Sequence, residues 1–137
     1  MDHNETFKPL PFDFDYSNRL YCEWIRDDKK GFRFVFSGKG ERQWLQVSFA
    51  YPLAYRRIDE GDFLRTLGVL PTDPAGCYYS VYEVFNSEFL RWYSEEAYGI
   101  PESWNVRHFI FLSADDCIEV LSVDPPLYTQ IDPESYT

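Results

Sequence analysis

Histidines and cysteines have the most specific chemistry of any residues in this chain, because they serve as nucleophiles, general bases and metal ligands. The chain has two histidines and three cysteines, at positions 22, 77 and 117. No two cysteines form a Cys-x-x-Cys pair, so the spacing indicates neither a zinc site nor a thioredoxin-type motif. His108 is a candidate general base, but a histidine packed in a sheet with one satisfied hydrogen bond also explains it. We favour that structural interpretation.

A catalytic Cys–His pair requires the thiol within hydrogen-bond reach of the imidazole. Cys117 lies in the strand that we expect to pair with the strand of His108. The expected register, however, places Leu112 opposite Cys117, and it places Leu121 opposite the histidine. The other two cysteines stay open as partners, because the strand order does not follow from the sequence. We expect no catalytic residue.

Carboxylate pairs are abundant and have two possible functions. Two carboxylates can hydrolyse a glycosidic bond, and they can hold a magnesium or calcium ion. Adjacent residues of a strand point to opposite faces, however, so adjacency alone is weak evidence. We therefore interpret the pairs as solvated turns and helix ends, and we expect neither a metal nor a cofactor. The pairs occupy positions 27–28, 59–60, 95–96 and 115–116.

The net charge of −10 is unevenly distributed along the chain. Residues 1–70 carry 11 basic and 11 acidic side chains, whereas residues 71–137 carry 2 basic and 12 acidic ones, so the second half accounts for the whole net charge. Nucleic acids and anionic membranes are recognised by clustered Lys and Arg, so this pattern argues against both as partners. A field of this sign would speed the approach of a basic protein.

Apolar periodicity predicts the elements that position these residues. Strand runs and two inserted helices in the order β-β-β-α-β-α-β-β favour an α+β fold, with a single mixed or antiparallel sheet of about six strands and two helices packed on it. We expect one domain over 1–137, with an irregular N-terminal arm at 1–18 and a loose C-terminal tail at 128–137. The predicted strands are 20–26, 32–37, 44–51, 77–85, 106–113 and 116–123, and the predicted helices are 59–67 and 88–98.

The helix predicted over 88–98 has the clearest boundaries. Ser87 is a good N-cap, Gly99 suits the left-handed cap position, and Pro101 prevents continuation. Glu96 lies at the edge of its apolar side, where aromatic residues would anchor a partner, and Glu95 lies on the opposite, polar side. Together with the acidic hairpin turn at 115–116, this helix supplies the expected partner-binding residues: Glu95, Glu96, Trp92, Glu88, Asp115 and Asp116.

Several segments together resemble small bacterial proteins associated with the immunity loci of polymorphic toxin systems. These segments are 47–56, 59–62, 87–96, 107–109, 115–122 and the two prolines at 125–126, and the resemblance spans about residues 45–127. It implies a cytoplasmic inhibitor that neutralises a toxin domain, for example a nuclease, by direct binding. It implies no binding residues, because no shared interface pattern accompanies it.

Three classes of function therefore stay open. The first is a non-catalytic immunity protein that binds a basic toxin domain, as a monomer or a homodimer. The second is a small-ligand or carbohydrate-binding module or a weak hydrolase, which requires a concave aromatic pocket. The third is a homo-oligomeric assembly protein, which requires a self-complementary apolar patch. The N-terminus lacks an apolar signal region, and no window approaches 18 apolar residues, so we expect a cytoplasmic protein.

Overall fold

The computed structural model describes residues 4–12, 20–38 and 43–136. Within this part, nine strands form two antiparallel sheets, and two α-helices and three short 3-10 segments connect them. The strands are β1 (Thr6–Pro9), β2 (Leu20–Asp28), β3 (Gly31–Gly38), β4 (Trp44–Phe49), β5 (Ala54–Asp59), β6 (Val81–Phe85), β7 (Arg107–Leu112), β8 (Asp116–Ser122) and β9 (Leu127–Ile131). The helices are α1 (Leu64–Leu67) and α2 (Glu88–Glu96), and the 3-10 segments are Glu60–Asp62, Glu102–Trp104 and Pro133–Tyr136.

The two sheets pack face to face around an aromatic core. The five-stranded sheet has the order β1-β6-β7-β8-β5, and the four-stranded sheet has the order β2-β3-β4-β9. The alternation in β3 turns Phe34 inward, and its ring centroid lies 5.0 Å from that of Phe111 in β7. Phe49 of β4 lies 5.9 Å from Phe109 in the same way. Because both sheets bury one aromatic face in this contact, it is the principal core of the molecule.

The prediction of one six-stranded sheet with two helices is wrong, since the chain forms two stacked sheets and is mostly β. Three strands were not predicted as such. Residues 54–58, which precede the first predicted helix and were assigned to no strand, belong to β5, which pairs with β8 at the edge of the five-stranded sheet. The N-terminal arm contains β1, paired with β6, and residues 1–3 and 13–18 of that arm lie outside the described residues. The tail contains most of β9, which pairs with β4.

Other predictions of pairing are confirmed. Strands β2, β3 and β4 form an antiparallel meander. The hairpin of β7 and β8 has the expected register, with Phe111 opposite Ile118 and Leu112 opposite Cys117. Both strands are also covered on both faces, which explains their continuous apolar sequence. The fourth predicted strand is shorter than expected, because β6 begins only at Val81.

The outer face of the five-stranded sheet is covered by the helical segments. The helix predicted over 59–67 is divided into two short segments: Asp59 caps the 3-10 turn Glu60–Asp62 by accepting a hydrogen bond from the Gly61 N–H at 2.8 Å, and α1 follows after Phe63. Phe63 and Leu67 from this segment pack on Ile110 of β7. No helix among the described residues is long and apolar enough to cross a membrane.

Candidate functional site

Helix α2 is fixed to the sheet at its first turn. After β6, Asn86 adopts a positive φ of 58°, and the chain turns into the helix at Ser87. The Ser87 hydroxyl accepts a hydrogen bond from the Leu90 N–H at 2.9 Å, as the prediction of an N-cap requires. The carboxylate of Glu5 accepts a second one from the Glu88 N–H, also at 2.9 Å. Two of the free N–H groups of this helix end are therefore satisfied by side chains.

Beneath α2, His108 bridges the helix cap and a buried carboxylate. Its Nδ1 lies 2.7 Å from the Ser87 Oγ, and its Nε2 lies 2.8 Å from the Glu119 Oε1. Arg56 completes the network, because its Nε donates to the Glu119 Oε2 at 2.5 Å. The exposed fraction is 2% for both His108 and Glu119. The histidine is therefore packed in the sheet as expected, but with two hydrogen-bond partners rather than one.

The charge of Glu119 is stabilised by these contacts. Burial raises the pKa of this carboxyl, but the hydrogen bonds from His108 and Arg56 outweigh it and hold the pKa below its ordinary value. When the Ser87 hydroxyl donates to the His108 Nδ1, the His108 Nε2–H donates to Glu119. One neutral tautomer of the imidazole therefore satisfies the hydrogen bonds of all three side chains. Ser87 is buried at the start of α2, so its hydrogen bond with His108 fixes the helix to the sheet.

A pocket opens beside this network. Its volume is about 480 Å³. It is bordered by the 3-10 segment Glu60–Asp62 and α1, by the first turns of α2, and by the outer face of the five-stranded sheet. His108 and Glu119 line it together with charged and aromatic side chains. The aromatic lining residues are Phe7, Phe63, Phe89 and Trp92, and the charged ones besides Glu119 are Glu5, Arg56, Asp62, Arg65 and Glu88.

Four of the six predicted partner-binding residues share one stripe of α2. Glu88, Trp92 and Glu96 are spaced four residues apart, and Glu95 lies beside them, so their side chains are neighbours on the helix surface. Trp92 is 52% exposed, and its ring stacks on that of the buried Phe89 at 5.9 Å between centroids. Glu95 and Glu96 are exposed, whereas Glu88 forms an ion pair with Arg65 at 2.9 Å.

The other two predicted residues lie elsewhere. Asp115 and Asp116 form the β7–β8 turn, whereas α2 packs on the opposite end of β7 through Phe89 and His108. The last residue of β7 is four residues beyond His108, which is about 13 Å along a strand. Asp116 is also buried and forms an ion pair with Arg57, so only Asp115 is exposed at this turn. The acidic residues therefore do not form one face.

α2 ends at Glu96, two residues before the predicted end, and the first left-handed position after it is one residue earlier than predicted. The cap hydrogen bonds run from the Gly99 N–H to the Ser94 carbonyl at 2.7 Å and from the Tyr98 N–H to the Glu95 carbonyl at 3.2 Å. This is a Schellman motif with Tyr98, not Gly99, at the first position after the cap. Tyr98 has a φ of 56°, which is strained for a bulky side chain, and it is 100% exposed. A tyrosine therefore occupies a position that usually favours glycine, without any packing contact to compensate.

Replacing Tyr98 with glycine is expected to raise the free energy of unfolding by about 0.5–1 kcal/mol, because glycine adopts this left-handed conformation without strain. No packing is lost, since the side chain is fully exposed. Urea unfolding at neutral pH measures the change. Tyr98→Ala is the matched control, because it removes the ring and keeps a strained Cβ. Equal stability of the glycine and alanine variants would show that the backbone is not strained.

Several residues of this site were not predicted from the sequence. Arg56 and Asp62 carry no chemical motif, and neither was predicted as a site residue. Glu119 had a usable signal, because the confirmed hairpin register places it diagonally across from His108 on the same face. Tyr98 had none, since a left-handed tyrosine contradicts residue preference.

The cysteines and the metal-ligating side chains of the described part form no cluster. There, no group of three or more His, Cys, Asp or Glu side chains is placed to hold a metal ion. Burial is the main cause that raises the pKa of the Cys22 and Cys117 thiols to about 12, so both are protonated at neutral pH. Cys77 is exposed and free.

Comparisons with known protein families, with curated proteins and with solved structures find no match.

Proposed function

We propose that this chain is a non-catalytic protein-binding module that neutralises a basic partner, as an immunity protein neutralises its cognate toxin domain. The observation that carries the proposal is the largely exposed segment 92–104, which combines aromatic and acidic side chains. We call this segment, which is the second half of α2 and the turns after it, the α2 face. Its exposed aromatic residues are Trp92, Tyr98 and Trp104, and its exposed acidic residues are Glu95, Glu96 and Glu102.

The composition of the α2 face is that of a recognition surface. Trp92, Tyr98 and Trp104 are 52%, 100% and 44% exposed, and Trp and Tyr are the residues that most often dominate the energy of protein interfaces. No Lys or Arg occurs between residues 92 and 106. A surface with this charge attracts a basic partner and repels an acidic one, which supports specificity as well as rapid association.

The strain at Tyr98 supports the same proposal. A bulky residue held in the left-handed region is destabilising and persists where the site has another use for it. Because Tyr98 is fully exposed, its use is not packing within the chain. A contact with a partner gives the ring a function that glycine could not fulfil. The resemblance to proteins of immunity loci indicates the same class of partner.

A small-ligand site is the second candidate function, and the pocket beside α2 is the observation that favours it. Its volume of about 480 Å³ and its aromatic lining suit a small molecule. Its buried carboxylate Glu119 is already hydrogen-bonded to His108 and Arg56, however, so it is less available to a ligand. We therefore rank the protein partner first.

The capture of a partner from the lysate of the native host tests the proposal. The tagged chain should retain a basic protein at roughly physiological salt, and Trp92→Ala should weaken its affinity by about 30-fold, the effect of losing one central aromatic anchor. Tyr51→Ala is the matched control, because Tyr51 is 82% exposed in the β4–β5 connection, outside the α2 face. The proposal fails if no basic protein is retained, or if both variants bind it like the parent chain.

A further inference from the structure

The pocket beside α2 has more negative than positive groups. Four carboxylates and two guanidinium groups line it, so it holds a surplus of two negative charges when His108 is neutral. Both guanidinium groups already have carboxylate partners within the chain. Arg56 is bound to Glu119, and Arg65 forms the ion pair with Glu88.

The surplus resides on two carboxylates at the border of the pocket. Asp62 is exposed and makes no side-chain hydrogen bond or ion pair with any residue that the structure describes. Glu5 accepts a hydrogen bond from the backbone of Glu88 but has no cationic partner there. Trp92 is the aromatic lining residue with the largest exposed fraction, so an open carboxylate and an open aromatic ring border the same cavity.

The molecule already contains a guanidinium bound in this way. The guanidinium carbon of Arg56 lies 4.1 Å from the centroid of the Phe89 ring, and its Nε donates to Glu119. A guanidinium above an aromatic ring and against a carboxylate is a favourable cation–π arrangement, and it favours Arg over Lys because the planar group both stacks and bonds in a fork. Trp92 and Asp62 both line the pocket, so an aromatic ring and a carboxylate are available there to a group from outside.

We infer that the pocket receives an arginine side chain of the basic partner, with its guanidinium stacked on Trp92 and paired with Asp62. The inference deepens the proposed function and rests on it, since it names the chemistry that the partner brings to the α2 face. The uncompensated charge of Asp62 and Glu5 provides the complementarity. The cavity volume lies within the range that accepts a small organic group.

A titration with N-acetyl-arginine amide tests the pocket without the partner. The indole N–H resonance of Trp92, assigned with a Trp92→Phe variant, should shift in a saturable way, with a dissociation constant on the order of 1–10 mM at low salt. N-acetyl-citrulline amide has nearly the same shape without the charge and should produce no saturable shift. Equal responses to the two amides, or no saturable response to the arginine amide, would overturn the inference.

Two variants connect the response to the pocket. Asp62→Asn should weaken binding of the arginine amide by about threefold, which is the size of an exposed ion pair. Asp124→Asn removes the same charge from an exposed residue outside the pocket lining and should leave binding unchanged. Equal weakening by both variants would assign the effect to net charge and overturn the role of Asp62.

Failure of this inference is distinguishable from failure of the proposed function. If a basic partner is captured through Trp92 but the arginine amide does not bind, the protein-binding proposal stands and the pocket assignment falls. If the arginine amide binds while the host lysate contains no basic protein that the chain retains, the pocket is a cation site and the inhibitor proposal falls.

Discussion

Replacing Glu119 with alanine is expected to lower the free energy of unfolding by about 3–5 kcal/mol at pH 7, because removing one partner of a buried charged network leaves the others unsatisfied. His108 loses the acceptor of its Nε2, and Arg56 loses both of its hydrogen bonds to the carboxylate. Chemical denaturation at pH 7 measures the loss. Glu95→Ala, on the exposed side of α2, is the control and should change stability by less than about 0.5 kcal/mol.

The pH dependence of the Glu119 contribution follows from the direction of its pKa shift. The folded pKa is lower than the ordinary value, so the folded state binds the proton less readily than the unfolded chain. The stabilisation is therefore fully present above the unfolded pKa of about 4.3, and it is lost as the pH falls through the folded pKa. The stability difference between the parent chain and Glu119→Gln should shrink below about pH 4. A difference that grows toward low pH would contradict the network.

Local signals predicted those parts of the fold that local interactions determine. The register of the β7–β8 hairpin follows from a short turn and from alternating faces. A one-residue slip would turn Phe109 and Phe111 away from the core between the two sheets. The capping residues Asp59 and Ser87 were identified because each satisfies N–H groups within three residues of itself. Such features depend on neighbours in the sequence and are therefore visible in it.

The division into two sheets depends on distant pairings, and this explains the wrong prediction of a single sheet. Strand β9 joins β4 across about eighty residues, and β5 joins β8 across about sixty, without a motif at either end. These strands are also difficult to identify from their own sequences. Arg56 and Arg57 make β5 polar, although Glu119 and Asp116 on the paired strand β8 compensate their charges. Composition alone does not show such compensation.

The candidate site was only partly predicted, because it too depends on how distant segments are arranged. Trp92, Glu95 and Glu96 were identified from helical spacing, which depends only on α2. Asp115 and Asp116 were grouped with them by charge, but the fold places the turn at the other end of β7. The charge pattern predicts a basic partner, whereas the location of any contact depends on how the strands are ordered.

Replacing both Glu95 and Glu96 with lysine is expected to slow association with the basic partner by about tenfold or more at low salt, because long-range attraction mainly governs the association rate. The two side chains are exposed neighbours on the α2 face, so reversing them should change stability little. Raising the salt concentration should slow the association of the parent chain and reduce the difference in association rate between the parent and the variant. The reason is that exposed charges are screened beyond about 8–10 Å. Stopped-flow association at several salt concentrations measures both effects.

The matched control for this charge reversal keeps the total charge change and moves it elsewhere. Asp124 and Asp132 are exposed and lie outside the α2 face, so replacing both with lysine adds the same positive charge to the chain. If the α2 face directs the encounter, the control should associate several times faster than the variant with lysine at 95 and 96. If both variants are slowed equally, the attraction comes from the overall field of the acidic second half of the chain, and the α2 face has no special position in the encounter.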